Sequence, residues 1–308
     1  LKKILIIQIA FGIVITAFLG LVLLKYISYF HQKIDVAEVS VVVKKNEPVS
    51  KLIRELGKKG VIRNPSWLWY YYKVTKAKIQ AGVYRFSGKI SPLDVVKKLK
   101  EGKVETISLT FPEGITAQEV IRKLEENKVI EKAAIGKEIY PFLEGYLFPD
   151  TYQFKIGEGA KKAITKMIVR FQQKMKRFGF TDKQLRENLI IASLIEKESV
   201  SDGAKVSEVI HNRLKLNMPL GLDSALEYAV GRTRLKRSDF YLDTPYNLYK
   251  RKGLPPTPIC NPSLKAIEYS NDAPSGNLLY FLSYNGSTFF FTNYRKEKEW
   301  IRTRNRGN

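Results

Sequence analysis

The sequence predicts an α+β protein carried on one apolar N-terminal helix, with a small β/α module first and a larger α+β domain after it. Three observations carry that prediction. Residues 4–24 are apolar apart from Gln8, Thr16, Gly12 and Gly20. A strand–turn–helix pattern occurs twice before residue 131. Finally, the stretch from Leu189 to Val200 is apolar almost all round a helix, which places it inside a domain.

The apolar run comes first. At 1.5 Å per residue it spans roughly 31 Å, against a bilayer hydrocarbon core of about 30 Å. It therefore predicts a membrane span over 4–24, with a tail at 1–3 and a linker at 25–38. A cleaved leader has a shorter apolar region that ends at small residues. Here Leu24 is followed by Lys-Tyr-Ile-Ser-Tyr-Phe, and the one cysteine, Cys260, leaves no N-terminal thiol to carry a lipid. Lys2 and Lys3 before the run and Lys25 and Lys33 after it set its direction only weakly.

The net charge of +23 and the 27% of charged residues imply an anionic partner: phospholipid headgroups, nucleic acid or an acidic wall polymer. Basic residues are spread along the chain, with no zinc-finger spacing, RNP-like aromatic motif or basic arm, so nucleic acid is disfavoured. One cysteine excludes an intrachain disulfide framework. The two distant histidines, His31 and His211, offer neither a cysteine–histidine metal cluster nor a ready Ser-His-Asp triad. No metal and no cofactor are expected.

The repeated unit reads Val39-Ser-Val-Val-Val, then Pro48-Val-Ser-Lys-Leu-Ile-Arg-Glu-Leu. Its second copy reads Ile107-Ser-Leu-Thr-Phe, then Thr116-Ala-Gln-Glu-Val-Ile-Arg-Lys-Leu. Ser40 matches Ser108, Arg54 matches Arg122 and Ile62 matches Ile130, a constant offset of 68. Each copy is a β-branched strand followed by an amphipathic helix. Between them Asn64-Pro65 opens a helix bearing Trp67, Leu68, Trp69, Tyr70, Tyr71 and Tyr72, aromatics read mostly as core. Ala81–Phe86 reads as a strand, and Ser91-Pro92 starts a helix that Gly102 ends. Residues 39–105 thus form one compact module.

The larger region, 106–308, predicts helices at 116–127, 159–177, 182–200 and 202–216. Residues 219–262 are rich in glycine, proline, aspartate and asparagine, which predicts long ordered loops of the kind that carry function. Apolar runs on either side of Asn285-Gly286 predict a β-hairpin.

Two glutamates end the buried helix. At about 100° per residue Glu198 shares a face with Ile191, Leu194 and Ile195, and Glu196 falls with Leu189, Ala192 and Ser193. A carboxyl against an apolar wall has its charged form disfavoured. The raised pKa that results is what a general acid for glycosidic cleavage needs. An ordinary ion pair with Lys197, Lys205 or Arg213 is the alternative.

Ordered motifs surround that helix. They are Glu144-Gly-Tyr-Leu-Phe-Pro-Asp-Thr-Tyr152, Ile195-Glu-Lys-Glu-Ser199, His211-Asn-Arg-Leu214 and Pro219-Leu-Gly-Leu-Asp-Ser224. Ser238-Asp239, Thr244-Pro-Tyr-Asn-Leu-Tyr249, Gly253-Leu-Pro-Pro256 and Asn261-Pro262 follow. In this order they resemble the endolytic murein transglycosylase family, also called YceG-like and formerly aminodeoxychorismate-lyase-like. The resemblance spans the anchor, the small module and the whole larger region.

It implies an enzyme anchored in the cytoplasmic membrane, with residues 1–3 cytoplasmic and the body outside, cutting peptidoglycan glycan strands internally. It implies that the module is LysM-like and that the catalytic helix is of the lytic-transglycosylase type. It places the catalytic glutamate at Glu198, followed by Ser199. Possible partners are the glycan strands, the membrane and peptidoglycan synthases. Softer substrate-binding candidates are Glu144, Tyr146, Phe148, Asp150 and Tyr152, with the aromatics as platforms for sugars. Asp223 either orients substrate or caps a helix starting at Ser224. Asn247 and Asn261 either recognise N-acetyl groups or form turns. Two other functions stay open: a non-enzymatic wall-binding scaffold, and a hydrolytic muramidase using Asp223 or Asp150 as second carboxylate. Pyridoxal chemistry finds no phosphate-cradling glycine loop or Schiff-base lysine.

Overall fold

The computed structural model describes residues 2–44, 47–199, 201–272 and 275–305. Leu1 of the expected tail, Val200 of the expected 182–200 helix and the last three residues of the expected larger domain lie outside them. The fold is mixed α and β, with small two-stranded sheets. It divides into two compact units, Leu1–Ile107 with Gln153–Glu158, and Ser108–Tyr152 with Gly159–Asn308.

The first unit opens with α1 (Lys2–His31). One segment of it, Ile6–His31, is long and apolar enough to cross a membrane, and none of its most apolar stretch is buried in the protein. Residues 25–31, where the sequence reads as linker, continue the helix. Tyr26, Tyr29 and Phe30 form an aromatic stripe at helical spacing that has a core to enter. Phe30 is buried, with its ring 5.6 Å from Tyr71, and Tyr26 meets Trp67 edge-on at 5.1 Å.

Strand β1 (Ile34–Val43) then begins earlier than the apolar alternation alone indicates, because Ile34 pairs with Ile90 and Val36 with Gly88. Helices α2 (Val49–Lys58) and α3 (Pro65–Thr75), strand β2 (Gly82–Ile90) and helix α4 (Pro92–Glu101) follow. β1 and β2 are antiparallel, with a register shift between Val36 and Val39.

The helix starts match the local chemistry. Asn64 Oδ1 accepts from Ser66 N, Ser91 and Asp94 form a reciprocal capping box, and Gly102 closes α4 in the left-handed region at φ 64°. Leu52, Ile53 and Leu56 of α2 bury against Val41, Tyr84, Val95 and Leu99. The apolar and aromatic residues of α3 divide: Leu68 and Tyr72 are buried, Trp67 and Tyr71 lie against α1, and Trp69 and Tyr70 are exposed.

Strand β3 (Thr106–Thr110) pairs with the later β4 (Thr151–Lys155). Between them lie α5 (Ala117–Glu126), started by a Thr116–Glu119 capping box, and the short α6 (Tyr140–Leu143). Both strand–helix copies therefore form, each finding a different partner strand.

The second unit continues with α7 (Ala160–Met175), α8 (Asp182–Glu198), α9 (Gly203–Lys215), α10 (Asp223–Val230) and α11 (Leu264–Asn271). The hairpin β5 (Tyr280–Tyr284) and β6 (Ser287–Phe291) and helix α12 (Tyr294–Asn305) end it. Asn285 and Gly286 both have positive φ, 49° and 75°, as a two-residue hairpin turn requires.

Helix α8 is the axis of this unit. Every residue from Leu189 to Ile195 is buried, packed among Val206, Ile210, Leu222, Ala225, Leu248, Ile259 and Ile267 from the surrounding helices and loops. The first half of α8, residues 182–188, is largely exposed, and the buried stretch ends in the turn that carries Glu196 and Glu198.

Candidate active site

The two glutamates of α8 have different surroundings. Glu196 accepts a hydrogen bond from Ser263 N at 2.9 Å, so its carboxylate holds the start of α11. Glu198 points to the first turn of α10, where Ser224 Oγ donates to its Oε1 at 2.7 Å. Burial pushes the Glu198 carboxyl above the ordinary glutamate range. The Ser224 hydroxyl and amide pull it back, and nearby Asp223 and Glu227 push it up again. A carboxyl so placed holds its proton more firmly than a free glutamate and still has a donor to stabilise it once ionised.

Helix α10 begins at Asp223 itself, with Leu222 as its N-cap and no side-chain cap. The N-cap reading of Asp223 therefore gives way. Its exposed carboxylate accepts a 2.5 Å hydrogen bond from Tyr249 Oη. Tyr249 is set by the loop that contains Asn247. This asparagine is fully buried and donates through Nδ2 to Phe240 O and Leu242 O, while its Oδ1 accepts from Tyr249 N. Gly221, at φ 57°, donates its N–H to Leu248 O. A Cβ there would lie 3.3 Å from Arg213 Nη1 and 3.6 Å from Tyr249 Cε1.

Several residues read from the sequence as substrate contacts prove to be interior. Glu144 is 1% exposed. Its carboxylate accepts from Ala117 N at 2.9 Å, Tyr228 Oη at 3.1 Å and Asn261 Nδ2 at 3.3 Å. Burial outweighs these donors and raises its pKa to about 8. Asn261, also fully buried, accepts from Leu147 N and donates to Ile115 O. It joins the 144–147 loop to the start of α5. Phe148 and Tyr152 are buried too, and Tyr152 Oη donates to Phe148 O at 2.6 Å. Glu144, Phe148, Tyr152, Asn247 and Asn261, read from the sequence as substrate-binding candidates, are thus buried in this structure, and the polar ones among them are hydrogen-bonded within the fold. Each motif spends its polar atoms on backbone groups that would otherwise be buried unpaired.

The remaining candidates are near the surface but engaged. Tyr146 packs edge-on to Phe171 at 5.2 Å. Asp150 accepts from Arg170 Nε at 2.7 Å and from Thr151 N. Ser199 ends α8, and its Oγ lies 3.0 Å from Ser201 Oγ. His211 Nε2 reaches Ser270 O at 3.1 Å, and Arg213 donates to Leu279 O and Leu220 O. The His-Asn-Arg motif therefore fastens α9 to the chain before β5. The Cys260 thiol is buried and pushed up by burial. Ser224, Tyr249 and Glu227 complete the surroundings of Glu198. All sit in or beside the loop-rich segment at 219–262, but no spacing in the sequence points to them.

One largely buried carboxyl at a helix end, hydrogen-bonded by a serine and flanked by an exposed aspartate, defines a candidate acid–base site. The YceG-like family model matches residues 41–303, and the chain belongs to that family. It is 28% identical over 297 residues to an endolytic murein transglycosylase of Streptococcus pneumoniae, covering 80% of this chain and 54% of the relative. The chain thus spans about half the length of that relative. It is 29% identical over 299 residues to an endolytic murein transglycosylase of Bacillus subtilis, covering 84% of this chain and 82% of the relative. The crystal structure of a yceG-like protein from Listeria monocytogenes matches with a TM-score of 0.52 at 27% identity, covering 85% of this chain and 98% of that one.

Proposed function

We propose that the protein is a membrane-anchored endolytic lytic transglycosylase, cutting peptidoglycan strands between N-acetylmuramic acid and N-acetylglucosamine. The observation that carries this reading is the setting of Glu198: a carboxyl with a raised pKa, held by Ser224 at the end of a buried helix. The names of the pneumococcal and Bacillus subtilis relatives support the substrate class.

Protonated Glu198 donates to the glycosidic oxygen as the bond breaks. Once ionised, with Ser224 donating to it, it accepts the proton of the muramic acid 6-hydroxyl, which closes a 1,6-anhydro ring. One carboxyl serves as acid and then base, and no water is consumed. A two-carboxylate glycosidase differs on both points.

In this reading residues 4–24 span the cytoplasmic membrane, residues 1–3 lie inside and the body lies outside. The 39–105 module is LysM-like, and residues 106–308 form the catalytic domain. The order β1, α2, α3, β2 supports that reading of the module. Peptidoglycan synthases, which deliver nascent strands, are the natural neighbours.

The proximity of Asp223 favours one competing reading, a muramidase in which it activates water. Mass spectrometry of purified peptidoglycan digested with the protein decides between them. New ends carrying 1,6-anhydro-muramic acid are expected. New reducing ends in their place assign hydrolysis, and no new ends at all leave the wall-binding scaffold.

A further inference from the structure

We infer that Asp223, held in place by Tyr249, is a catalytic residue that stabilises the positive charge developing on the sugar as Glu198 gives up its proton. The inference rests on the transglycosylase reading and concerns the same site.

The geometry begins at the first turn of α10. Two successive residues there face the reaction from different sides. Ser224 is buried and donates to Glu198, while Asp223 is exposed and accepts from Tyr249. The exposed Asp223 carboxylate therefore stands on the solvent side of the turn that holds Glu198. Tyr249 is itself fixed: its amide is held by Asn247 Oδ1, its ring lies edge-on to Phe240 at 5.1 Å, and Gly221 lets it close against the 219–221 loop. Burial, then the bond to Asp223, pushes the Tyr249 phenol up. It stays a donor across the working pH range, and the aspartate keeps one orientation.

The electrostatics point the same way. The chain carries +23 overall, yet Glu198, Asp223 and Glu227 meet at this site. Among the described residues none of the three is closed into an ion pair. Asp223 is spent on a neutral phenol, and Lys197 acts on Glu227 from a distance. Among the described residues no three such groups are arranged to hold a metal ion. Carboxylates that no cation neutralises leave a negative potential at the site, which favours a positive charge forming beside them. In a glycosidic cleavage that charge is the one on the oxocarbenium-like transition state.

The step balances without any further reactant. The C1–O4 bond breaks with its electron pair on O4, which takes the Glu198 proton. C1 and the ring oxygen share the resulting positive charge facing Asp223. The 6-hydroxyl oxygen then bonds to C1, and its proton passes to the Glu198 carboxylate. Asp223 exchanges no proton and forms no bond. It also helps to keep Glu198 protonated beforehand, since like charges close together disfavour a second ionisation. The titratable and charged groups around Glu198 are Asp223 and Glu227 of α10, Tyr249 of the loop with Arg213 behind it, and Lys197 on its own helix.

The test compares the full-length protein with Asp223→Asn and Tyr249→Phe in detergent, on purified glycan strands, reading kcat, KM and the pH profile. Wild type must first release 1,6-anhydro ends; if it does not, the underlying reading fails before this one is reached. With that activity in hand, Asp223→Asn is expected to lower kcat about hundredfold with little change in KM. Its alkaline limb should move to lower pH, because Glu198 then loses its proton more easily. Tyr249→Phe keeps the aspartate and should lose about tenfold in kcat with the same small KM effect. Unchanged kcat in both variants, or a loss confined to KM, overturns the inference. So does an alkaline limb that stays where it is in Asp223→Asn. Thermal melting accompanies each variant, and the phenylalanine variant carries the test if the asparagine one does not fold.

Discussion

Glu198 and Glu196 differ in the sequence only by two places on a helix, yet the fold gives them opposite uses. Helical spacing alone puts Glu198 on the more apolar face. The structure gives the reason for the difference: Glu196 is committed to Ser263 N, and Glu198 to Ser224 Oγ. In the proposed reaction the serine acts in the second half, when the carboxylate must be stabilised long enough to take a proton back. Ser224→Ala removes the donor and should raise the Glu198 pKa further, because that hydrogen bond favours the ionised form. A pH–rate profile should show the alkaline limb moved to higher pH and kcat lowered about tenfold. A profile identical to wild type would show that the contact has no catalytic consequence. By contrast, the burial of Asn247 and Asn261 was hidden in the sequence. An asparagine in a proline-rich loop looks the same whether it meets a sugar or ties down a backbone, and only burial separates the two. Glu144 was hidden for the same reason.

At the scale of elements, helix starts and the hairpin were legible because their chemistry is local. Asn64-Pro65, Ser91 to Asp94, Thr116 to Glu119 and Asn285-Gly286 each act within a few residues. What local chemistry does not show is where a long apolar helix stops being exposed and starts being core. Phe30 is 6% exposed and Tyr26 reaches Trp67, so the last two turns of α1 belong to the small module. Removing residues 1–24 should leave a folded protein, whereas removing 1–31 should destabilise the module. In the shorter truncation Phe30→Ala should cost roughly 3–5 kcal/mol. Thermal melting of the truncations checks this, and equal melting temperatures would show that the aromatic stripe contributes nothing.

At the scale of the whole molecule, charge was legible as a total but not as a distribution. The +23 suits an anionic partner, while acids gather around Glu198. Buried charge also gives the fold a pH dependence. Glu144 has a pKa of about 8 in the fold, against about 4.3 unfolded. An acid whose pKa is raised on folding contributes stability while protonated. That contribution is whole below the unfolded value and is lost as the pH rises through the folded one, with a slope of up to about 1.4 kcal/mol per pH unit. Glu144→Gln keeps the shape and cannot ionise. Chemical denaturation between pH 5 and 9 should show wild type losing stability with rising pH more steeply than the variant. Parallel curves would mean that Glu144 is already ionised throughout.

The central claim is that one carboxyl, Glu198, performs both proton transfers. Its most direct test is Glu198→Gln, assayed for release of 1,6-anhydro-muropeptides from purified glycan strands alongside strand binding and thermal melting. The prediction is a loss of release of about a thousandfold or more, with binding and melting temperature unchanged. Release of anhydro products at the wild-type rate would contradict it.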